Sequence, residues 1–377
     1  MKFFSTRKRP SSPEVQTCAA ADRGIIPPIQ SLNHPAELRL YRELRENVPV
    51  IDAAVMKLVR LLGEFRIECA EEASQKALDS FVSRVSVGGT GAGLNQFIST
   101  YFEQLLTYGT AVGEIVTYED GGVAALYNAP CDSVVLRYGD SPVDVRLYTA
   151  PIGERELSRP DLISVTLLNP EAGTLRGTSI LKGLPFVSEL LMKIFRCVGQ
   201  NFERSGNVRF AVTYNPPAGA GLVNAKQRVR EIADEWSRAM RDKSRVCDFV
   251  SVGDVKIRAI GADNQIIDCD VPVRHVLEQI VSKLSIPPFL LGLSWSSTER
   301  MSSQQADILT SELDYYRALL TPVIEKIARV YLDSERLNPE VHVDWSNISL
   351  QDETELAEAR LNNARAAQLE RSMEVNE

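Results

Sequence analysis

The sequence predicts an α+β fold, and three observations carry the prediction. Residues 271–332 read as a helix, an abrupt stop and a long second helix. Residues 110–168 read as a run of short strands opened by a tight hairpin, and residues 207–264 as a strongly charged helix set among short strands. Blocks of helix and blocks of strand in one chain of 377 residues, 44% of them hydrophobic, give an α+β class with room for two or three domains.

The helix pair comes first because its punctuation is the clearest. Val273, Leu277, Ile280 and Leu284 lie on one helical stripe. Pro287 and Pro288 then remove two amide donors and push Ile286 out of the helical region. Residues 292–300 form a short polar loop carrying one large aromatic, Trp295. A second stripe runs through Leu309, Leu313, Tyr316, Leu320, Val323, Ile327 and Val330, a long amphipathic helix expected to bend at Pro322. On periodicity alone the pair reads as a bundle hairpin.

From the start of the chain, residues 1–30 read as a mobile leader whose end is marked by Pro27 and Pro28. Lys2, Arg7, Lys8 and Arg9 precede prolines and serines rather than an apolar core, so the leader is not a signal peptide. Residues 36–62 form one helical region, 66–69 a strand, 74–85 a helix and 94–107 a helix stopped by Gly109. Residues 110–118 and 123–127 pair as a hairpin through Asp120-Gly121-Gly122, since Asp-Gly supplies the backbone dihedrals of a tight turn. Strands follow at 133–138, 143–148 and 162–168.

Thr178 or Ser179 is placed to cap a helix whose stripe is Ile180, Leu184, Val187, Leu191, Ile194 and Val198. At about 20 residues this helix spans about 30 Å. Beyond it, 208–214 is a strand, 224–243 a charged helix, and 247–252 and 255–260 short strands. Residues 341–345 form a strand, and 352–373 an alanine-rich helix alternating Glu and Arg, which has little apolar face and needs neighbours.

Composition narrows the function. The formal charge of −8 is the wrong sign for a protein that grips nucleic acid by its phosphates, although it permits a conduit through which nucleic acid passes. Six scattered cysteines without a CxxC pair argue against a zinc site and a disulfide framework and for reduced thiols. No apolar run is long enough for a membrane span, so no membrane association is expected. The cluster from Gly88 to Gly93 precedes a helix but lacks the Lys-Ser/Thr of a P-loop and the G-x-G-x-x-G spacing, and reads as a flexible loop. No cofactor, metal or paired-acid constellation is apparent.

Ile286-Pro-Pro-Phe-Leu-Leu-Gly292 resembles the proline elbow of tailed-bacteriophage portal proteins. Two further features agree with that family. The order of helix, glycine, hairpin and Ala129-Pro130 is similar to its wing, and Gly177-Thr-Ser-Ile-Leu181 resembles the Gly-x-Ser-x-Leu turn that feeds its first stem helix. The resemblance implies a portal-type subunit with an α/β wing, a two-helix stem, a small α/β clip, a long bent helix and a helical crown. The segments would be leader 1–30, wing 31–176, first stem helix 177–206, clip 207–264, second stem helix 265–286, elbow and tunnel loop 287–300, long helix 301–336 and crown 337–377.

It further implies a homo-oligomeric ring of about twelve copies at one capsid vertex of a virion, assembled in the host cytoplasm. Genomic double-stranded DNA would pass through it non-specifically, pumped by a separate terminase. The partners implied are the major capsid protein, the terminase large subunit and a head-tail adaptor. Two amphipathic stem helices cannot both bury their stripes in one thin hairpin, so packing against neighbouring copies is expected. The tunnel loop would be Ser294, Trp295, Ser296, Ser297, Thr298, Glu299 and Arg300, with Trp295 either near the duplex or buried as a local support. The clip would dock partners through Arg228, Arg230, Glu231, Asp234, Glu235, Arg238 and Arg241, a face that reads equally as merely solvated. Two other classes stay open. One is a hydrolase using Ser179 or a cysteine, although the glycine after the serine of a nucleophile elbow is missing and the chain has only three histidines. The other is an oligomeric scaffold without DNA contact.

Overall fold

A computed structural model of the chain describes residues 35–141, 143–150, 155–206, 209–215, 222–241, 254–260, 269–293 and 299–348. The leader over 1–30, the strand over 247–252 and the helix over 352–373 lie outside these residues. The chain divides into two compact units, one of Met1–Ser188 with Leu277–Glu377 and one of Glu189–Val276. Mixed helix and sheet make the fold α+β, as expected.

The first unit is built around a helix that is apolar on almost every side. It is the fourth, α4 (Leu94–Tyr108), after α1 (Pro35–Asn47), α2 (Pro49–Leu61) and α3 (Glu72–Arg84). Leu94, Phe97, Ile98, Tyr101, Phe102, Leu105 and Leu106 are all buried, which is the pattern of a helix covered by neighbours all round. Those neighbours are α1, α2, α3, the long α8 (Glu299–Ser334) and a five-stranded sheet. The sheet runs in the order β3 (Gly91–Ala92), β2 (Ser86–Val87), β5 (Val123–Ala129), β4 (Thr110–Thr117), β8 (Ile163–Leu167). Only the β2–β5 pairing is parallel.

Polar contacts fix the helix to the sheet at a single register. The Tyr101 hydroxyl donates to Thr166 Oγ1 at 2.8 Å, and Gln104 both donates to Ala129 O (2.7 Å) and accepts from Val112 N (2.9 Å). The predicted turn between β4 and β5 is present, with Tyr118 N donating to Gly122 O and Gly122 N to Asp120 Oδ1. A two-stranded sheet of β6 (Val134–Tyr138) and β7 (Val145–Thr149) joins this core through Val134, which packs with Val112, Ala129, Leu157 and Ile163.

A third pair, β1 (Phe65–Cys69) with β11 (Val341–Trp345), ties the early chain to the late chain. Alongside it, Arg317 of α8 donates twice to Leu62 O, at 2.9 and 2.7 Å, and lies 5.1 Å from the Trp345 ring centre. These carbonyl contacts cap the end of α2. Helix α8 continues through Pro322, and Tyr331 near its end stacks on Phe81 of α3 at 4.0 Å.

The helical region 36–62 is present as two helices, because Val48 precedes a proline and takes an extended conformation (φ −120°, ψ 92°). Two expectations need correction. The cluster Gly88–Gly93 is not a loose loop but the β2–β3 hairpin, held by Gly88 N to Leu126 O and Gly93 N to Val85 O. The helix expected from residue 177 begins at Leu184 as α5 (Leu184–Gly206).

The residues before α5 serve a different helix. Ser179 Oγ donates to Thr107 O at 2.6 Å and accepts from Leu181 N at 2.9 Å, and Ile180 N donates to Leu106 O at 3.3 Å. Ser179 therefore caps the C-terminal end of α4 rather than the start of α5. Gly109 follows α4 in a left-handed conformation (φ 74°), and its carbonyl accepts from Leu168 N. A Cβ on Gly109 would lie 2.5 Å from the backbone of Thr178 and Ser179, and one on Gly177 would strike the Gly109 carbonyl.

The second unit holds most of α5, the antiparallel pair β9 (Arg209–Asn215) and β10 (Asp254–Ile260), α6 (Leu222–Arg241) between them, and the first half of α7 (Asp270–Lys283). The β9–β10 register runs from Arg209 opposite Ile260 to Asn215 opposite Asp254.

The glycine seam generates a stability prediction. Gly177→Ala should destabilise the fold by about 3 kcal/mol or more, since a methyl there meets fixed backbone. Ser179→Ala should cost about 1–3 kcal/mol by leaving a buried carbonyl unpaired. Urea midpoints at constant slope measure both, and a Gly177→Ala midpoint equal to wild type contradicts the seam.

Candidate functional site

The stop after α7 is assembled from residues with little freedom. Leu284 N and Ser285 N still donate back to Ile280 O and Ser282 O, and Ser285 then turns left-handed (φ 52°), which is uncommon for a residue with a side chain. Ile286 and Pro287 are buried. Pro287 stands before a 3-10 turn, Pro288–Leu291, that packs against α2. Three bonds close the turn: Leu290 N to Pro287 O, Gly292 N to Phe289 O and Leu293 N to Pro288 O, each 3.1 Å. Gly292 (φ 73°) releases the chain. The elbow up to Leu293 is thus fixed by two prolines and by contact with α2, which itself rests on α4.

Beside this elbow lies a cleft of about 340 Å³, lined by Val281, Ile286, Pro287, Pro288, Gln305 and Ile308 among others. Ile308, 68% exposed, forms its outer edge on α8.

Of the loop residues singled out above, Ser294, Trp295, Ser296, Ser297 and Thr298 lie outside the described residues. Glu299 and Arg300 are not in a loop but open α8 as its first two residues. A carboxylate in a first turn is favoured by the helix dipole. Glu299 and Arg300 extend by two residues the long helix placed from 301, whose apolar stripe shows only from Leu309 because Ala306, buried before it, carries little hydrophobic signal.

On α6 the charged residues share one helix. Arg228 Nη1 pairs with Glu231 Oε2 at 2.9 Å, and Arg230 and Asp234 are exposed. Glu235, Arg238 and Arg241 continue along the same helix. Ile232, buried, lies opposite Arg230 and Asp234 but shares a side of the helix with Arg228, four residues before it, so the charged set is not one clean face. An exposed pair of this kind is worth about 0.3–0.5 kcal/mol, so the face contributes little to folding.

Three of the candidate nucleophiles, Ser179, Cys69 and Cys131, sit in structural surroundings. Ser179 is buried and its hydroxyl is occupied by the α4 carbonyl and the Leu181 amide. Burial, assisted by the Asp79 carboxylate, pushes the Cys69 thiol up, away from the reactive thiolate. Cys131 is buried.

A feature that sequence reasoning passed over is Arg45, which joins three helices. Its guanidinium reaches Asp52 (2.7 Å), Glu103 (2.6 Å) and Thr107 Oγ1 (3.1 Å). It borders a polar groove of about 780 Å³ with Arg42, Glu46, Gln104, Tyr108 and Asp132. An arginine on an amphipathic helix carries no sequence mark that separates it from solvated neighbours. Among the described residues no helix is long and apolar enough to cross a membrane.

No protein-family model matches the sequence, and no curated protein matches it. Solved structures do. The crystal structure of an HK97-family phage portal protein from Corynebacterium diphtheriae aligns over 84% of this chain and 96% of that one, at 11% identity and a TM-score of 0.41, too loose for the fold to rest on it. A chain from the virion of a native gene transfer agent particle aligns over 90% of this chain and 91% of its own length, at 14% identity and a TM-score of 0.63. A chain from the neck of the native particle, solved with C12 symmetry, aligns over 89% and 90%, at 15% identity and a TM-score of 0.62. The chain shares its fold, over nearly its whole length, with these virion and neck chains.

Proposed function

We propose that the chain is the subunit of a ring-shaped portal at one capsid vertex, a channel through which double-stranded genomic DNA is packaged and later ejected. The observation that carries the reading is the fold shared with a virion chain and with a neck chain solved with C12 symmetry. A ring of about twelve copies follows by analogy with that symmetry. The subunit would sit in the virion after assembly in the host cytoplasm, bounded by the major capsid protein. It would bring no chemistry of its own. The hydrolase reading loses Ser179, which is a buried helix cap, and is left with the cysteines.

In this reading the loop after Gly292, Ser294–Thr298 with Glu299 and Arg300 at its far end, faces the channel. The rigid elbow holds its base while DNA passes. The acidic balance of −8 supports loose passage rather than grip. The charged face of α6 would receive the terminase large subunit during packaging and a head-tail adaptor afterwards.

Three outcomes test the reading. The purified chain should give annular particles by electron microscopy and a native mass of about twelve subunits; a monomer at all concentrations and salts ends the proposal. Reversing Arg228, Arg230 and Glu231 should leave rings intact while reducing terminase recruitment or adaptor attachment, and equal loss of assembly would refute the separation. Trp295→Ala, or deletion of residues 294–297, should permit rings but lower the yield of packaged genomes, whereas a normal yield removes the loop from the mechanism.

A further inference from the structure

The polar groove beside Arg45 has its donors engaged and its acceptors open. Arg45 is held by Asp52, Glu103 and Thr107, Arg39 pairs with Glu43 at 3.0 Å, and Arg42 donates to the Tyr108 hydroxyl. Gln104 uses both ends of its amide on Val112 N and Ala129 O. Glu46 and Asp132, on the same lining, make no hydrogen bond or ion pair with the described residues and act on Arg42 only through space. Asp132 is half-buried, and Asn128 Oδ1, also of the lining, is buried without a donor. Two carboxylates and an amide oxygen left in this way call for a cation rich in donors, the chemistry of arginine and lysine. An anion would meet Glu46 and Asp132 as like charges.

One segment of the chain has that chemistry and lies within reach. Residues 1–34 hold five basic residues against two acidic ones in a chain of formal charge −8, and Arg7-Lys8-Arg9 is the one run of three consecutive basic residues in the sequence. The described chain opens at Pro35, three residues before Leu38, the first residue of the groove. Along α1 the lining continues to Glu46, about 12 Å further on. The 25 residues between Arg9 and Pro35 span about 25–30 Å as a coil. Such a tether covers the groove and keeps the run beside it at an effective concentration on the order of millimolar. We propose that the groove is a docking site for this chain's own basic run, Arg7, Lys8 and Arg9 supplying donors to Glu46, Asp132 and the Asn128 oxygen. Docking withdraws the run from other anions, double-stranded DNA included, and is independent of whether the chain forms a ring. Ion pairs at a surface are weak singly and screened by salt, so the contact is reversible.

Limited trypsin digestion of the full chain at low salt reads the docking. Glu46→Gln combined with Asp132→Asn should speed cleavage after Arg7 and Lys8 by about tenfold, the combined effect of two or three exposed pairs, and leave cleavage after Arg23 unchanged. Raising the salt to about 1 M, where the screening length falls to about 3 Å, should do the same to wild type. A water-soluble carbodiimide, which joins an amine to a carboxylate in contact with it, should link Lys8 to Glu46 or Asp132 within one chain, as a mixture of isotope-labelled and unlabelled protein will show. Lys8→Gln, which leaves the groove untouched, should abolish the link. Equal cleavage in wild type and the groove variant, absence of the Lys8 link, or links only between chains would each overturn the proposal. Protection of Arg7 and Lys8 that appears only once double-stranded DNA is added would overturn it as well, assigning the run to phosphate.

Discussion

The last turn of α4 leaves carbonyls that no helical amide can reach, and burying them unpaired would cost about 1–3 kcal/mol each. Three are satisfied in three different ways. Leu105 O accepts from Gly109 N, Leu106 O from Ile180 N, and Thr107 O from the Ser179 hydroxyl. For the last two, the turn Gly177–Ile180 must approach α4 so closely that neither Gly109 nor Gly177 has space for a Cβ. The same approach seats Leu168 N on Gly109 O, which sets the start of β4 beside the end of β8, and Thr178 N on Leu168 O. Sheet register, helix end and the departure point of α5 are consequently one constraint, with Leu181 and Leu184 buried directly after it.

This constraint also explains which parts of the fold were legible. Helices α3 and α4 and the β4–β5 hairpin could be read because period and turn chemistry are local, down to Gly109 as the stop and Asp120-Gly121-Gly122 as the turn. Ser179 could be seen as a cap but was assigned to the wrong helix, since its true partner, Thr107, is 72 residues away in sequence. The β2–β3 hairpin was invisible for the same reason: strands of two residues have no period, and their order comes from Leu126 and Val85. At the candidate site the two prolines announced the elbow, whereas the left-handed Ser285 before them did not, because serine has no habitual preference for that conformation. The first turns of α8 were placed by the resemblance and not by period, because alanine and polar residues fill them before the stripe begins at Leu309.

Charge is deployed in a way that composition alone conceals. The chain is acidic overall, yet in the first unit basic side chains are spent on internal joints. Arg317 is buried against the end of α2, and that burial pulls its pKa down against the raising effect of Asp314. Lys326 of α8 donates to Ile163 O at 2.6 Å, and burial pulls its pKa down likewise, opposed by Asp161. Arg45 joins α1, α2 and α4 through two carboxylates and a hydroxyl. Cations placed on carbonyls and carboxylates inside a fold are withdrawn from any external phosphate.

The two kinds of unfinished surface in the protein differ in how they are resolved. Orphan carbonyls at the end of α4 are directional and must be met at about 3 Å, and the chain meets them itself by bringing Ser179 and Ile180 back. The exposed apolar side chains of α5 are non-directional, and no described residue of the same chain closes over Phe202 or Leu190. An apolar surface can be covered by any surface of matching shape, including an identical copy, without demanding atomic precision from a partner. The seam at the end of α4 demands atomic precision of the residues that meet it, whereas the exposed apolar side chains of α5 demand only shape.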